Sequence, residues 1–130
     1  SGIAEGDERR LIDNTITKLR TLVEETGISL VLVSHLKRME GNKSHEDGQA
    51  TSLAHLRGSA SIAQLSDMVI GLERDQQADN KDLTTVRVLK SRYNGQTGEA
   101  ARLKYDSTTG RLLEADPIAI SNDNDKINFN

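Results

Sequence analysis

The run Ile28-Ser29-Leu30-Val31-Leu32-Val33-Ser34 limits most narrowly what this chain can fold into. It is an almost unbroken stretch of leucine and β-branched residues. A strand apolar on both faces must be covered on both sides, a condition met inside a parallel sheet flanked by helices. Upstream of it, Ile12, Ile16, Leu19 and Val23 fall at i, i+4, i+7 and i+11, with Leu11 and Leu22 beside the stripe. That spacing predicts an amphipathic helix over residues 7–26, with Asp7 and Glu8 in its first turn and Gly27 placed to stop it. Helix, glycine and buried strand make half of a βαβ unit. The expected class is α/β.

The pattern then breaks. Residues 36–52 form a polar, glycine-punctuated loop, a length that inside a compact domain points to function or disorder. A short helical turn is expected at 53–56, a second short helix capped by Ser59 and ending near Leu65, and another buried strand at 67–72. A polar turn over 75–82 leads to an alternating strand at 83–92. A turn at Asn94-Gly95-Gln96-Thr97-Gly98, a returning strand at 99–105 and a short strand at 111–113 complete an antiparallel meander. Residues 116–130 are rich in Asn and Asp and have no period, so they read as a flexible acidic tail behind a domain of residues 1–115.

Composition narrows the function classes. The 130 residues contain no cysteine, which excludes a disulfide framework, a thiol nucleophile and a zinc–thiolate site. The three aromatics, Tyr93, Tyr105 and Phe129, are too few for a base-stacking surface of the RNA-recognition kind. A net charge of −3 means that affinity for nucleic acid must come from a local patch. No apolar stretch approaches the ~20 residues of a membrane span, and no signal-peptide pattern opens the sequence, so an intracellular location is expected.

Four places can carry chemistry. His35 follows the buried strand, where ligands of open parallel sheets sit, and a neutral imidazole there can bond a phosphate oxygen or a water. The plainer account is a histidine that ends a strand. Lys37, Arg38 and Lys43 lie in the long loop and Arg57 just after it. Residues 36–57 hold four basic and three acidic side chains, enough to meet one or two phosphates and equally consistent with solvated loop charge. Arg57-Gly58-Ser59 opens a helix, where a close backbone approach favours anions, but glycine followed by a capping serine is also ordinary helix punctuation. Val86, Val88, Lys90 and Arg92 alternate, so they are expected on one strand face with the two cations about 6–7 Å apart. Such a pair suits a phosphoryl group; its rival is edge protection at a fraying hairpin.

The order of these motifs is informative. Val31-Leu32-Val33-Ser34-His35-Leu36-Lys37, then Leu56-Arg57-Gly58-Ser59 with Gln64-Leu65-Ser66-Asp67, then Leu89-Lys90-Ser91-Arg92 with Gly95 and Gly98, resembles the DnaB-like ring helicases. Within them it is most similar to the phage primase–helicase and Twinkle-type branch, over residues 2–113. The resemblance implies a partial RecA-like core and a set of roles. His35 is implied as the γ-phosphate sensor and residues 37–48 as the loop that meets single-stranded DNA in a central channel. Lys37, Arg38 and Lys43 would touch phosphates there. Arg57 and Gly58 would link DNA contact to the subunit interface, with Gln64 in the same motif's helix. Arg92 is implied as an arginine finger with Lys90 as its companion cation, both offered to the neighbouring subunit's nucleotide. Arg74 and Tyr105 would sandwich its base.

Two departures qualify the resemblance. The sequence has no GxxxxGK[ST] phosphate loop and no strand ending in the metal-associated acidic residue, which in the family lie upstream of the region matched here. Ala63 also stands where phage relatives often carry a basic residue. The implied function is therefore the C-terminal half of a replicative helicase motor, inactive by itself. It would use ATP or another NTP with Mg²⁺ held mainly by residues beyond this sequence, assemble as a homo-hexameric ring and act on single-stranded DNA. The acidic tail with its penultimate aromatic, Phe129, would meet a replicative DNA polymerase. No metal site is expected in these residues. A recombination or regulatory ATPase of the RecA or RadA kind, or a non-catalytic module of the same fold, are the rivals.

Overall fold

A computed structural model describes residues 2–37, 50–56 and 60–115, with side chains from Gly6 onward. The described residues fall into two compact units. One contains residues up to Lys37 together with Ala54–Ser66, and the other contains residues 50–53 with those from Asp67 onward.

In the first unit, α1 (Gly2–Thr26) packs on α2 (Ala60–Leu65). The expected stripe is the packed one: Ile12, Ile16, Leu19 and Val23 are partly buried, and Ile62 of α2 is buried beside them in the same unit. Leu11 and Leu22 stay exposed. Gly27 ends α1 as expected, at φ 70°, with its N–H donated to the Val23 carbonyl at 2.9 Å.

Residues 28–34 differ from expectation. They form no strand, and Val31 and Val33 are 89% and 87% exposed. A strand exists only where neighbours take up its backbone N–H and C=O groups. Among the described residues the segment's sole ladder contact is one antiparallel rung just beyond it, Leu36 against Leu56, extended by the Lys37 N–H to the His55 carbonyl at 2.7 Å. The hydrophobic pattern is that of a doubly covered strand, but the described residues include no parallel partner for it.

The second unit is a four-stranded antiparallel sheet in the order β1 (Met68–Arg74), β2 (Leu83–Ser91), β3 (Gly98–Asp106), β4 (Arg111–Glu114). The meander is as the sequence predicts. The strand expected at 67–72 is present as β1, but it pairs antiparallel with β2 and is buried on one face only. Register assigns the two faces, because cross-strand partners share a face and successive residues alternate. One face carries Met68, Ile70, Leu72 and Arg74 of β1, Val86 and Val88 of β2, Leu103 and Tyr105 of β3 and Leu112 of β4. The other carries Gly71 and Glu73, Arg87, Glu99 and Arg102. The sheet is thus apolar on one side and lined by alternating charges on the other. Met68, Ile70 and Leu72 on the apolar side are exposed.

Candidate functional site

The end of β2 departs from simple alternation. Lys90 pairs with Val69, but Val88 pairs with Ile70, so Leu89 is a bulge. Val69 and Ile70 are neighbours on opposite faces, which puts Lys90 on the face opposite Val88. The expectation that Val86, Val88, Lys90 and Arg92 share a face is corrected on this point. Arg92 lies one residue past the last rung, Met68 against Ser91, and continues the ladder by donating its N–H to the Asp67 carbonyl at 2.8 Å. Its Nη1 donates to Asp67 Oδ1, also at 2.8 Å, with the two side chains 44% and 34% exposed.

Arg74 and Tyr105 stand on one face of the sheet. Arg74 faces Thr84, Thr84 faces Leu103, and Tyr105 is two residues further along β3. Two strand spacings and a two-residue offset put their Cα atoms about 12 Å apart, a gap that two long side chains can close around a flat ring. The Arg74 Nε–H is donated to the Lys81 carbonyl, and the Tyr105 N–H to the Asp82 carbonyl at 2.9 Å, so both are tied to the β1–β2 connection.

His35 and Lys37 are exposed and flank the Leu36 rung. Arg38, Lys43, Arg57 and Gly58, with Ser59 and the tail 116–130, lie outside the described residues.

A buried cluster on the charged face was not singled out from sequence. Glu73 is 9% exposed and Thr51 5%. Glu73 Oε1 accepts the Thr51 N–H at 2.7 Å, the Thr51 hydroxyl at 2.9 Å and the Arg87 Nε–H at 2.8 Å. Burial is the largest influence on this carboxyl and opposes its ionisation. The bonds from Arg87 and from the Thr51 backbone and hydroxyl together outweigh it and hold the group below its ordinary 4.5. Gly71 makes room: a β-carbon there would overlap Thr51 Oγ1 outright and lie 2.9 Å from Thr51 Cβ. The readable signal was Gly71 itself, since a glycine inside a strand often marks the close approach of another group. The row continues across the sheet with Glu99 opposite Arg87 and bonded to Arg102 Nε at 2.7 Å. Beside it opens a cleft of about 360 Å³ lined by Thr51, Arg87, Leu89 and Thr97 among others.

Among the described residues no group of three His, Asp or Glu could hold a metal ion, and no helix is long and apolar enough to cross a membrane.

The family model of the DnaB-like helicase C terminal domain matches residues 3–114. A DNA helicase/primase of Enterobacteria phage T3 is 47% identical over 112 residues, which is 86% of this chain and 20% of that protein. The chain thus spans about a fifth of the length of this relative.

Proposed function

The chain belongs to the DnaB-like helicase C-terminal domain family, and from that membership we propose that it forms the C-terminal part of the motor of a replicative, NTP-dependent ring DNA helicase. The observation that carries this reading is the match to a DNA helicase/primase at 47% identity across 86% of this chain. In a ring of identical subunits, hexameric in this reading, the triphosphate and its Mg²⁺ sit at subunit boundaries and are held mainly by residues outside this sequence. The magnesium ion supplies charge neutralisation on the β- and γ-phosphates.

This chain's residues complete the boundary. Arg92 offers its guanidinium to the neighbouring subunit's nucleotide, where a fixed cation stabilises charge developing on the transferred phosphoryl group. Lys90 adds a second positive charge at the same strand end. Arg74 and Tyr105 take the base between them, a role supported by their common face and spacing. His35 senses the phosphate from the segment that continues into Lys37, and Lys37, Arg38, Lys43, Arg57 and Gly58 meet single-strand phosphates. The tail 116–130 reaches the replicative polymerase, steered by its net charge of −2. The recombination-ATPase and non-catalytic rivals have no observation in their favour.

The test is a subunit-mixing experiment on the full-length helicase that carries this domain. Arg92→Ala should lower NTP hydrolysis by a factor on the order of 10³ with nucleotide binding retained. Mixing it with subunits whose phosphate loop is disabled should restore part of the activity, because intact Arg92 can then face an intact phosphate loop. Mixed rings with no rescue at any ratio would exclude a finger acting across the boundary.

A further inference from the structure

We infer that Asp67 is a positioning residue for Arg92, holding the guanidinium in place for the neighbouring subunit's triphosphate. The inference rests on the reading of Arg92 as a residue donated across the subunit boundary. Arginine has a long side chain with several rotatable bonds, and a cation that must meet a phosphoryl group on another subunit is effective only when its direction is fixed beforehand. Asp67 supplies two constraints at once. Its carbonyl takes the Arg92 N–H at 2.8 Å, which adds a rung to the β1–β2 ladder and fixes where the side chain leaves the backbone. Its carboxylate takes Nη1 at 2.8 Å, which tethers the charged end of the side chain beside the start of β1.

The placement is local in structure and distant in sequence. Asp67 immediately precedes β1, Arg92 immediately follows β2, and the two residues are 25 positions apart. Both side chains are partly exposed, so the ion pair contributes little to stability. Its value lies in orientation. The rung uses the Asp67 main-chain carbonyl, so Asn and Glu variants change the orienting group without removing a partner of the strand end.

The experiment measures kcat and KM for the nucleoside triphosphate in full-length rings carrying Asp67→Asn, Asp67→Glu, Arg92→Ala and the Asp67→Asn/Arg92→Ala pair, with ring assembly followed by sedimentation. Asp67→Asn should lower kcat about 10- to 100-fold with KM changed less than about twofold, the scale expected when a reacting group is misplaced by an ångström or so. Asp67→Glu, which keeps the charge, should fall between Asn and wild type. The double variant should be no slower than Arg92→Ala alone, because a residue acting only through Arg92 has nothing to act through once it is gone. If Asp67→Asn rings do not assemble, the same cycle is run with Asp67→Glu.

Losses that multiply in the double variant, or an Asp67→Asn ring that turns over at the wild-type rate beside an inactive Arg92→Ala ring, would overturn the positioning role alone. Wild-type hydrolysis by Arg92→Ala would overturn the finger assignment and the positioning role together.

Discussion

Truncating Glu73 should unfold the sheet unit far more readily than any surface change. Three donors converge on its Oε1, and Arg87 Nη2 lies 3.5 Å from Oε2. The carboxylate is 8% exposed and the arginine 21%. Glu73→Ala therefore leaves a largely buried guanidinium without this carboxylate and a buried Thr51 amide and hydroxyl without their acceptor. Breaking a buried pair on one side costs about 3–5 kcal/mol. Glu73→Gln keeps an oxygen for Thr51 and loses only the charge, and should cost about 1–3 kcal/mol. Thr51→Val removes one hydroxyl bond while the backbone bond remains, and should cost about 1 kcal/mol. Urea denaturation followed by circular dichroism gives all three from the midpoint at constant slope. A Glu73→Met/Arg87→Met double variant should recover the part of the Glu73→Ala loss that comes from the desolvated charge of Arg87, while the Thr51 amide and hydroxyl still lack Glu73 as acceptor. A Glu73→Ala loss below about 1 kcal/mol, or a double variant no better than the single, would refute the claim that this pair is desolvated and mutually dependent.

The same carboxylate sets a pH response. Its folded pKa is lowered from 4.5, so its contribution is complete above 4.5 and is lost as pH falls through the lower folded value. The urea midpoint of the native chain should fall more steeply below pH 4.5 than that of Glu73→Gln, and parallel curves would remove Glu73 from the account. Gly71→Ala should cost about 1–3 kcal/mol by displacing Thr51 from Glu73, read as a lowered urea midpoint. In the full-length helicase, Lys37→Ala should lower the salt slope of single-strand binding by about 0.7, one phosphate contact's worth of released counterion, and an unchanged slope would remove Lys37 from the DNA contact.

Much of the local structure is legible because it is written in periodicity. The 3.6-residue stripe of α1 specifies its packed face and the two-residue alternation of the meander specifies its strands, and glycines mark several of the ends. In β1, however, the apolar Met68, Ile70 and Leu72 are the exposed positions and Gly71 and Glu73 the buried ones. The bulge at Leu89 is not legible in this way. It inserts one residue into a run whose composition stays regular, and it moves Lys90 to the other face of the sheet. The Glu73 cluster was hidden for a related reason. A carboxylate between Leu72 and Arg74 reads as a solvated strand position until Thr51, 22 residues away, is known to sit over Gly71.

The segment 28–34 shows the opposite relation between sequence and structure. Its residues state a requirement, apolar cover on both faces, which the described residues do not meet: Val31 and Val33 stand almost wholly exposed. Exposed β-branched runs with unpaired backbone are what edge-to-edge association feeds on, and native proteins do not ordinarily leave them open. The requirement is therefore intrinsic to the segment, and the described residues do not supply the cover that would satisfy it. His35 and Lys37 hang from the end of this same segment. The roles proposed for them, sensor and DNA contact, would depend on how firmly 28–34 is held, because a side chain is no better positioned than the backbone that carries it. Asp67 and Arg92, by contrast, are fixed by a ladder complete within the sheet unit itself. Of the residues proposed for the subunit boundary, the arginine and its aspartate are thus held by contacts within one unit.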